Sequence, residues 1–143
     1  VGQTLDQLFD DRLARTHNAA ADSSAARLAA FALAPPHPLI GFFSLNNIVR
    51  GIFQSTDASW IVSADSINQG FATEGVAALL DIAFHTLGLH RVQANSIPTN
   101  LASLRVARKV GFREEGRALR MLKIADQWQD HLMFAKLADE HPT

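Results

Sequence analysis

Apolar residues recur at helical spacing between Val76 and Leu87. Val76, Leu79, Leu80, Ala83, Phe84 and Leu87 mark one face of an amphipathic helix. Gly70-Phe71-Ala72-Thr73-Glu74 opens it, and the β-prone, mostly apolar Ala58-Ser59-Trp60-Ile61-Val62 precedes it. The unit reads strand, loop, helix. A second such unit comes next. Gly88 stands where a glycine closes a helix, Leu89–Ser96 reads as a strand, and Pro98-Thr99-Asn100 turns into a short helix, Leu101–Val110, with Asn100 as its N-cap and Gly111 at its end. A right-handed crossover sets the Leu89–Ser96 strand parallel to Ala58–Val62.

Upstream, Leu5, Leu8, Phe9 and Leu13 share one face of a predicted helix, Thr4–Arg15, before a polar stretch to Ser24. Ala25–Leu33 fits helix or strand. Pro35-Pro36-His37-Pro38 breaks the chain as a hairpin connection, and Leu39–Val49 is β-prone with Gly41 as a bulge position. Arg50-Gly51 and Gln54–Asp57 form the turn before Ala58. Downstream, Phe112–Ile124 reads as a long strand broken at Glu114-Glu115-Gly116; Ala125-Asp126-Gln127 turns, and Asp130–Leu137 returns. The predicted fold is α/β in the α+β sense, one domain over residues 1–143 without internal repeats.

Composition narrows this mainly by exclusion. A chain of 143 residues, 48% hydrophobic and 19% charged, can bury its own core and is not disordered. The absence of cysteine removes disulfides, thiolate metal sites and a cysteine nucleophile, and the absence of tyrosine removes any phenol. A formal net charge of −1 argues against direct nucleic-acid binding. No apolar run approaches the roughly 20 residues that span a bilayer, and no signal peptide is read, so the expectation is a cytoplasmic protein. No His/Asp/Glu spacing suggests a metal. The Gly70 turn is the candidate chemistry: a helix start offers free N–H groups and the positive end of its dipole, and Gly70 lets a ligand approach the backbone. That suits a phosphate or pyrophosphate, although an ordinary βα turn without ligand fits the same residues.

Five blocks in order carry a resemblance. They are Gly70-Phe71-Ala72-Thr73-Glu74, Leu87-Gly88-Leu89-His90-Arg91, Pro98-x-Asn100-x-x-Ser103, Lys109-Val110-Gly111-Phe112-Arg113-Glu114-Glu115-Gly116 and Trp128-Gln129-Asp130-His131. From about Leu39 to Leu137 the chain resembles the GNAT (Gcn5-related) N-acetyltransferases, in the RimJ/RimL-like branch that acetylates N-terminal amines of ribosomal proteins. The resemblance implies the acyl-CoA N-acyltransferase fold, a central mixed sheet with flanking helices, here lacking the usual first strand and helix. It implies acetyl-CoA as co-substrate, a primary amine as acceptor, and no metal; a homodimer is compatible with it. The pyrophosphate loop maps onto Ile67–Thr73, with backbone N–H groups of Gln69, Gly70, Phe71, Ala72 and Thr73 on the phosphates. Pantetheine would run between the Trp60–Val62 and Val92–Ser96 strands, with N–H groups near Ile61 and Val62 polarising the carbonyl. Asn100 matches a position whose side chain holds the pantetheine or fixes the turn beside it, and Ser103 matches one close to the CoA sulfur.

Individual roles derive from the same resemblance and from position. Ser103 is the candidate general acid, in place of the absent tyrosine, or else a capping or CoA-contact hydroxyl. Arg105, Arg108 and Lys109 suit the 3′-phosphate of CoA or simply the end of their helix. Glu74 suits the helix dipole better than catalysis, and His90-Arg91 reads as structural. Asp130 and His131 would either face the acceptor or make a structural hydrogen bond. The general base is unassigned, and water can serve. The acceptor pocket is expected from the N-terminal helices and the Arg50–Ser59 loop. Ile67 stands where relatives carry Gln or Arg, which with the short front end motivates a rival reading: a catalytically silent CoA-binding or protein-interaction module.

Overall fold

The computed structural model describes residues 24–142. The helix expected at Thr4–Arg15 lies outside them. The described elements are strands β1 (Ala26–Phe31), β2 (Leu39–Val49) and β3 (Ser55–Val62), helix α1 (Phe71–Asp81), β4 (Arg91–Ser96), helix α2 (Leu101–Lys109), β5 (Arg113–Ile124) and β6 (Gln127–Leu137). The strands form one six-stranded mixed sheet in the order β1-β2-β3-β4-β6-β5. Neighbours are antiparallel except β3 and β4, which run parallel across the α1 crossover. Among the described residues no helix is long and apolar enough to cross a membrane.

The predicted stripe is the core face of α1 and of the turn that continues it: Val76, Leu79 and Leu80, then Ala83 and Phe84, are buried with Phe43 and Leu45 of β2. The helix does not run evenly to Leu87. Residues Ile82–Thr86 widen into a π-turn, closed by Leu87 N–H donating to Ile82 O at 2.9 Å. One inserted residue rotates the chain beyond it, and Leu89 arrives 1% exposed in the core.

Other boundaries shift under the pull of strand pairing. Ala25–Leu33 resolves as strand, since β1 pairs along β2 from Ala26↔Leu45 to Phe31↔Leu39. The irregularity falls at the Ala30/Phe31 step, next to Gly41, which itself stays in register with Ala30 and Val62. Glu114-Glu115-Gly116 does not break β5. It is a register shift within one continuous strand. Likewise β3 begins at Ser55, inside the predicted turn, because Ser55, Thr56 and Asp57 pair with Arg91, Val92 and Gln93.

That parallel ladder is short, and its ending shapes the molecule. Pairing stops at Asp57↔Gln93, whereas β3 continues to Val62 and β4 to Ser96. Past this point each strand keeps its outer partner: β3 stays on β2, and β4 on β6 up to Ser96↔Leu132. Their facing edges are left unpaired, and the gap opens toward the starts of α1 and α2.

Candidate functional site

Three elements wall a cleft of about 420 Å³: the end of β3 (Trp60, Ile61, Val62), the turn into α1 (Ser66 to Thr73) and the outer side of α2 (Asn100 to Lys109). The β3 wall is a free backbone edge. Ser63 N–H donates to Ile40 O at 2.7 Å, and the β2–β3 register is unbroken from Gly41↔Val62 to Asn46↔Asp57. Antiparallel alternation therefore turns the polar backbone of Ile61 toward β2 and that of Trp60 and Val62 toward the gap. Val62 N–H, not Ile61 N–H, is the donor offered to the cleft.

The second wall is the start of α1. Gly70 is its N-cap at φ +81°, left-handed backbone that favours glycine, with no side-chain cap. The first helical bond is Glu74 N–H to Gly70 O at 3.0 Å, so the N–H groups of Phe71, Ala72 and Thr73 remain for a ligand. All three residues line the cleft with Gly70, and so does the half-exposed Ile67. Gln69 does not. Its side chain donates to Asp65 O at 2.9 Å, bracing the turn from behind.

The third wall is α2. Asn100 Oδ1 accepts from Ser103 N–H at 3.2 Å, the predicted N-cap, and both side chains border the cleft. Arg105 and Lys109, four residues apart on one face, supply its cationic rim. Arg108 turns away, 3.5 Å from Glu114 and over the Phe134 ring.

A second cavity of about 240 Å³ meets the first at Trp60, Asn100 and Ser103 and continues into the β3–β4 gap. Ser59, Asn95, Ile124 and His131 lie along it. Sequence reasoning singled out neither Asn95 nor Ile124, and reached Ser59 only as the end of the Arg50–Ser59 loop; β alternation was the available signal, but it needs the β4–β6 register to be read. Asp130 is not in either cavity. It accepts from Arg120 N–H at 2.9 Å and pairs with Arg117 at 2.8 Å, contacts that hold its carboxyl below the usual range. The Arg50–Gln54 turn lies at the opposite end of β3, where Arg50 donates to Leu87 O at 2.6 Å, so only Ala58 and Ser59 of the predicted acceptor loop reach the cavities.

Comparison with known proteins fits this geometry. Residues 3–113 match the acetyltransferase (GNAT) domain family. The chain belongs to the GNAT acetyltransferases. The probable N-acetyltransferase YjcK of Bacillus subtilis is 41% identical over 99 residues, covering 69% of this chain and 55% of that protein. The [ribosomal protein uS5]-alanine N-acetyltransferase of Escherichia coli is 31% identical over 97 residues, 68% of this chain and 50% of the relative. The chain thus spans about half the length of these curated relatives. Among solved structures, the ribosomal-protein-S5-alanine acetyltransferase of Vibrio fischeri superposes with a TM-score of 0.81 at 26% identity, over 96% of this chain and 74% of that one. Mycobacterium smegmatis RimJ, in complex with CoA-disulfide, gives 0.78 at 28% identity over 96% and 64%.

Other polar groups in this GNAT chain sit outside the cleft. Glu74 is not among the lining residues, and Arg91 is committed to an ion pair with Glu115. Asp81 and His85, one helical turn apart, and His141, distant from them in sequence, place ligand-type atoms within 4.8 Å of one another, with His141 Nε2 at 2.6 Å from Asp81. None of the three lines either cavity.

Proposed function

We propose that the protein is an acetyl-CoA-dependent N-acetyltransferase that moves an acetyl group to a primary amine by direct attack in a ternary complex. The observation that carries this reading is the unpaired gap between β3 and β4, opening onto an uncapped helix start. A long thioester with an anionic end suits that shape. Its pyrophosphate would meet the N–H groups of Phe71, Ala72 and Thr73, favoured by the α1 dipole, with Arg105 and Lys109 nearby as phosphate counter-charges. Pantetheine amides would continue the ladder along the free edge of Trp60 and Val62. Val62 N–H is then the donor for the thioester carbonyl, an oxyanion-type contribution. Ser103, where the two cavities meet, is the hydroxyl nearest the leaving sulfur in this arrangement. Holding both reactants in one gap supplies much of the rate.

The acceptor is best read as a protein N-terminal amine, with small amines next. An α-amine, with a pKa near 8, is more readily neutral than a lysine near 10.4. The uS5-alanine specificity of the E. coli relative supports the same class. Ile67, apolar and half-exposed in the phosphate turn, favours a second reading, a GNAT-fold module that binds CoA without transfer. Calorimetry with acetyl-CoA and thiol release with a panel of amines separate the two. Binding with release establishes the enzyme; binding without release on any amine establishes the silent module; no binding defeats both.

A further inference from the structure

The second cavity contains one side chain whose chemistry the acetyl-transfer scheme above leaves unused. His131 is 3% exposed, and its Nδ1 lies 3.0 Å from Gln129 O. A carbonyl oxygen can only accept, so Nδ1 carries the proton, and Nε2 of the neutral ring keeps a lone pair. No described residue bonds to Nε2. Of the residues that line this cavity, His131 is the sole acid–base side chain. On the β5–β6 hairpin, Asp130, next to His131 in the chain, and Arg117, next to the histidine's cross-strand partner Ala118, are bonded to each other. Arg108 of α2 is engaged by Glu114.

Register places the histidine on a particular side of the sheet. Ala94↔Phe134 and Ser96↔Leu132 are direct partners in the β4–β6 ladder, and Phe134 lies under Arg108 on the α2 side. Alternation puts Asn95, Met133 and His131 on the opposite face. Since Phe134 and Ala94 line the same cavity as Asn95 and His131, the cavity passes through the sheet at the β3–β4 gap. The CoA cleft approaches this gap from the helical side. Asn95, on the same face as His131, also lines the cavity, and its buried Oδ1 has no hydrogen-bond partner among the described residues.

We infer that this cavity receives the acceptor amine from the face opposite the CoA cleft, and that His131 Nε2 is the base that takes its proton. The inference rests on the acetyltransferase reading and deepens it. An entering ammonium loses one proton to Nε2. The freed lone pair attacks the thioester carbonyl carbon, so a C–N bond forms and the C–S bond breaks. The departing sulfur takes the second amine proton, directly or through Ser103 Oγ, leaving amide and free thiol. Imidazolium then returns its proton to solvent. No metal, oxidant or further reactant is needed. The cavity equals the bulk volume of about eight waters, room for an amino-terminal residue with a small side chain.

Two variants separate base from scaffold. In His131→Asn the amide nitrogen can keep the bond to Gln129 O while Nε2 is lost; His131→Gln puts a non-basic amide near the Nε2 position. Turnover is followed by thiol release with an Ala-initiated peptide across the range in which imidazole titrates. Wild type should lose activity toward acid. Both variants should lose about 100-fold in kcat/KM at neutral pH, and their acid limb should move up to that of the peptide's own α-amine, near 8, with acetyl-CoA affinity by calorimetry unchanged. An unaltered pH profile, or a fall in acetyl-CoA affinity matching the fall in rate, overturns the assignment. A readout independent of turnover and of any variant is the wild-type imidazole Hε1 resonance of His131, assigned through bonds. Addition of the peptide should move it, and an unmoved resonance defeats the amine site. Wild type that binds acetyl-CoA, shifts this resonance and still releases no thiol would sink the enzyme reading and the base role, leaving only the amine site.

Discussion

Asn100 and Ser103 share one hydrogen bond but divide stability from chemistry. The bond joins the Asn100 side chain to the Ser103 backbone N–H, so the Ser103 hydroxyl plays no part in capping α2. Ser103→Ala should therefore leave the thermal midpoint almost unchanged. If the hydroxyl protonates the leaving sulfur, turnover should fall on the order of tenfold or more while acetyl-CoA affinity holds. Equal losses in both would make it a binding residue instead. Asn100→Ala behaves differently. Removing a side-chain cap costs about 1 kcal/mol, and thermal unfolding should register it. Asn100→Asp keeps a capping oxygen and should keep the midpoint, while the new charge at the junction of the two cavities weakens acetyl-CoA binding. A midpoint unchanged in the alanine variant would mean that the cap contributes nothing.

At the scale of elements, α1 carries two glycines with different duties. Nothing lies within 4 Å of a Cβ built at Gly70, yet its φ of +81° strains any other residue. Gly70→Ala should cost roughly 1–2 kcal/mol by that strain and should also weaken acetyl-CoA binding, because the new methyl enters the ligand's space. Full affinity in calorimetry would remove the pyrophosphate from this turn. Gly75 faces inward, and a Cβ there would run into the Phe43 ring. Gly75→Ala should thus destabilise by about 1–3 kcal/mol despite alanine's better helix propensity, with denaturant midpoints as the check. The sequence makes α1 legible because burial of one face leaves a periodic stripe. The Asn100 cap and the parallel β3–β4 order are legible too, since both arise from local chemistry and crossover handedness. The π-turn is not, because a one-residue insertion leaves Leu87 and Leu89 apolar either way. Nor is the early end of the β3–β4 ladder, which depends on β2 and β6 holding the outer edges. Asn95 and His131 become neighbours only through the β4–β6 register, and no local pattern in either strand marks it.

Over the whole molecule, charge ties the distal part of the sheet together away from the cleft. Glu115 of β5 receives the Arg91 guanidinium of β4 and lies 3.1 Å from Arg113, which in turn pairs with Glu140 after β6. The Arg91 hydrogen bonds, and secondarily those of Arg113, lower the Glu115 carboxyl from the ordinary 4.5 to about 2 against a smaller opposing desolvation. A carboxyl more acidic in the folded chain than in the unfolded one stabilises fully above the unfolded value, and that contribution fades as pH falls toward the folded value. Wild type should therefore be more stable than Glu115→Gln at neutral pH, and the difference should shrink as pH drops from 4.5 toward about 2. The groups are partly exposed, so added salt should reduce the difference as well. Urea midpoints for both proteins at neutral and acid pH make the comparison. Because Glu115 lines neither cavity, acetyl-CoA affinity at neutral pH should be the same in both. A stability difference that stays constant through the acid range would show that the Arg91–Glu115–Arg113 cluster acts by packing and not by charge.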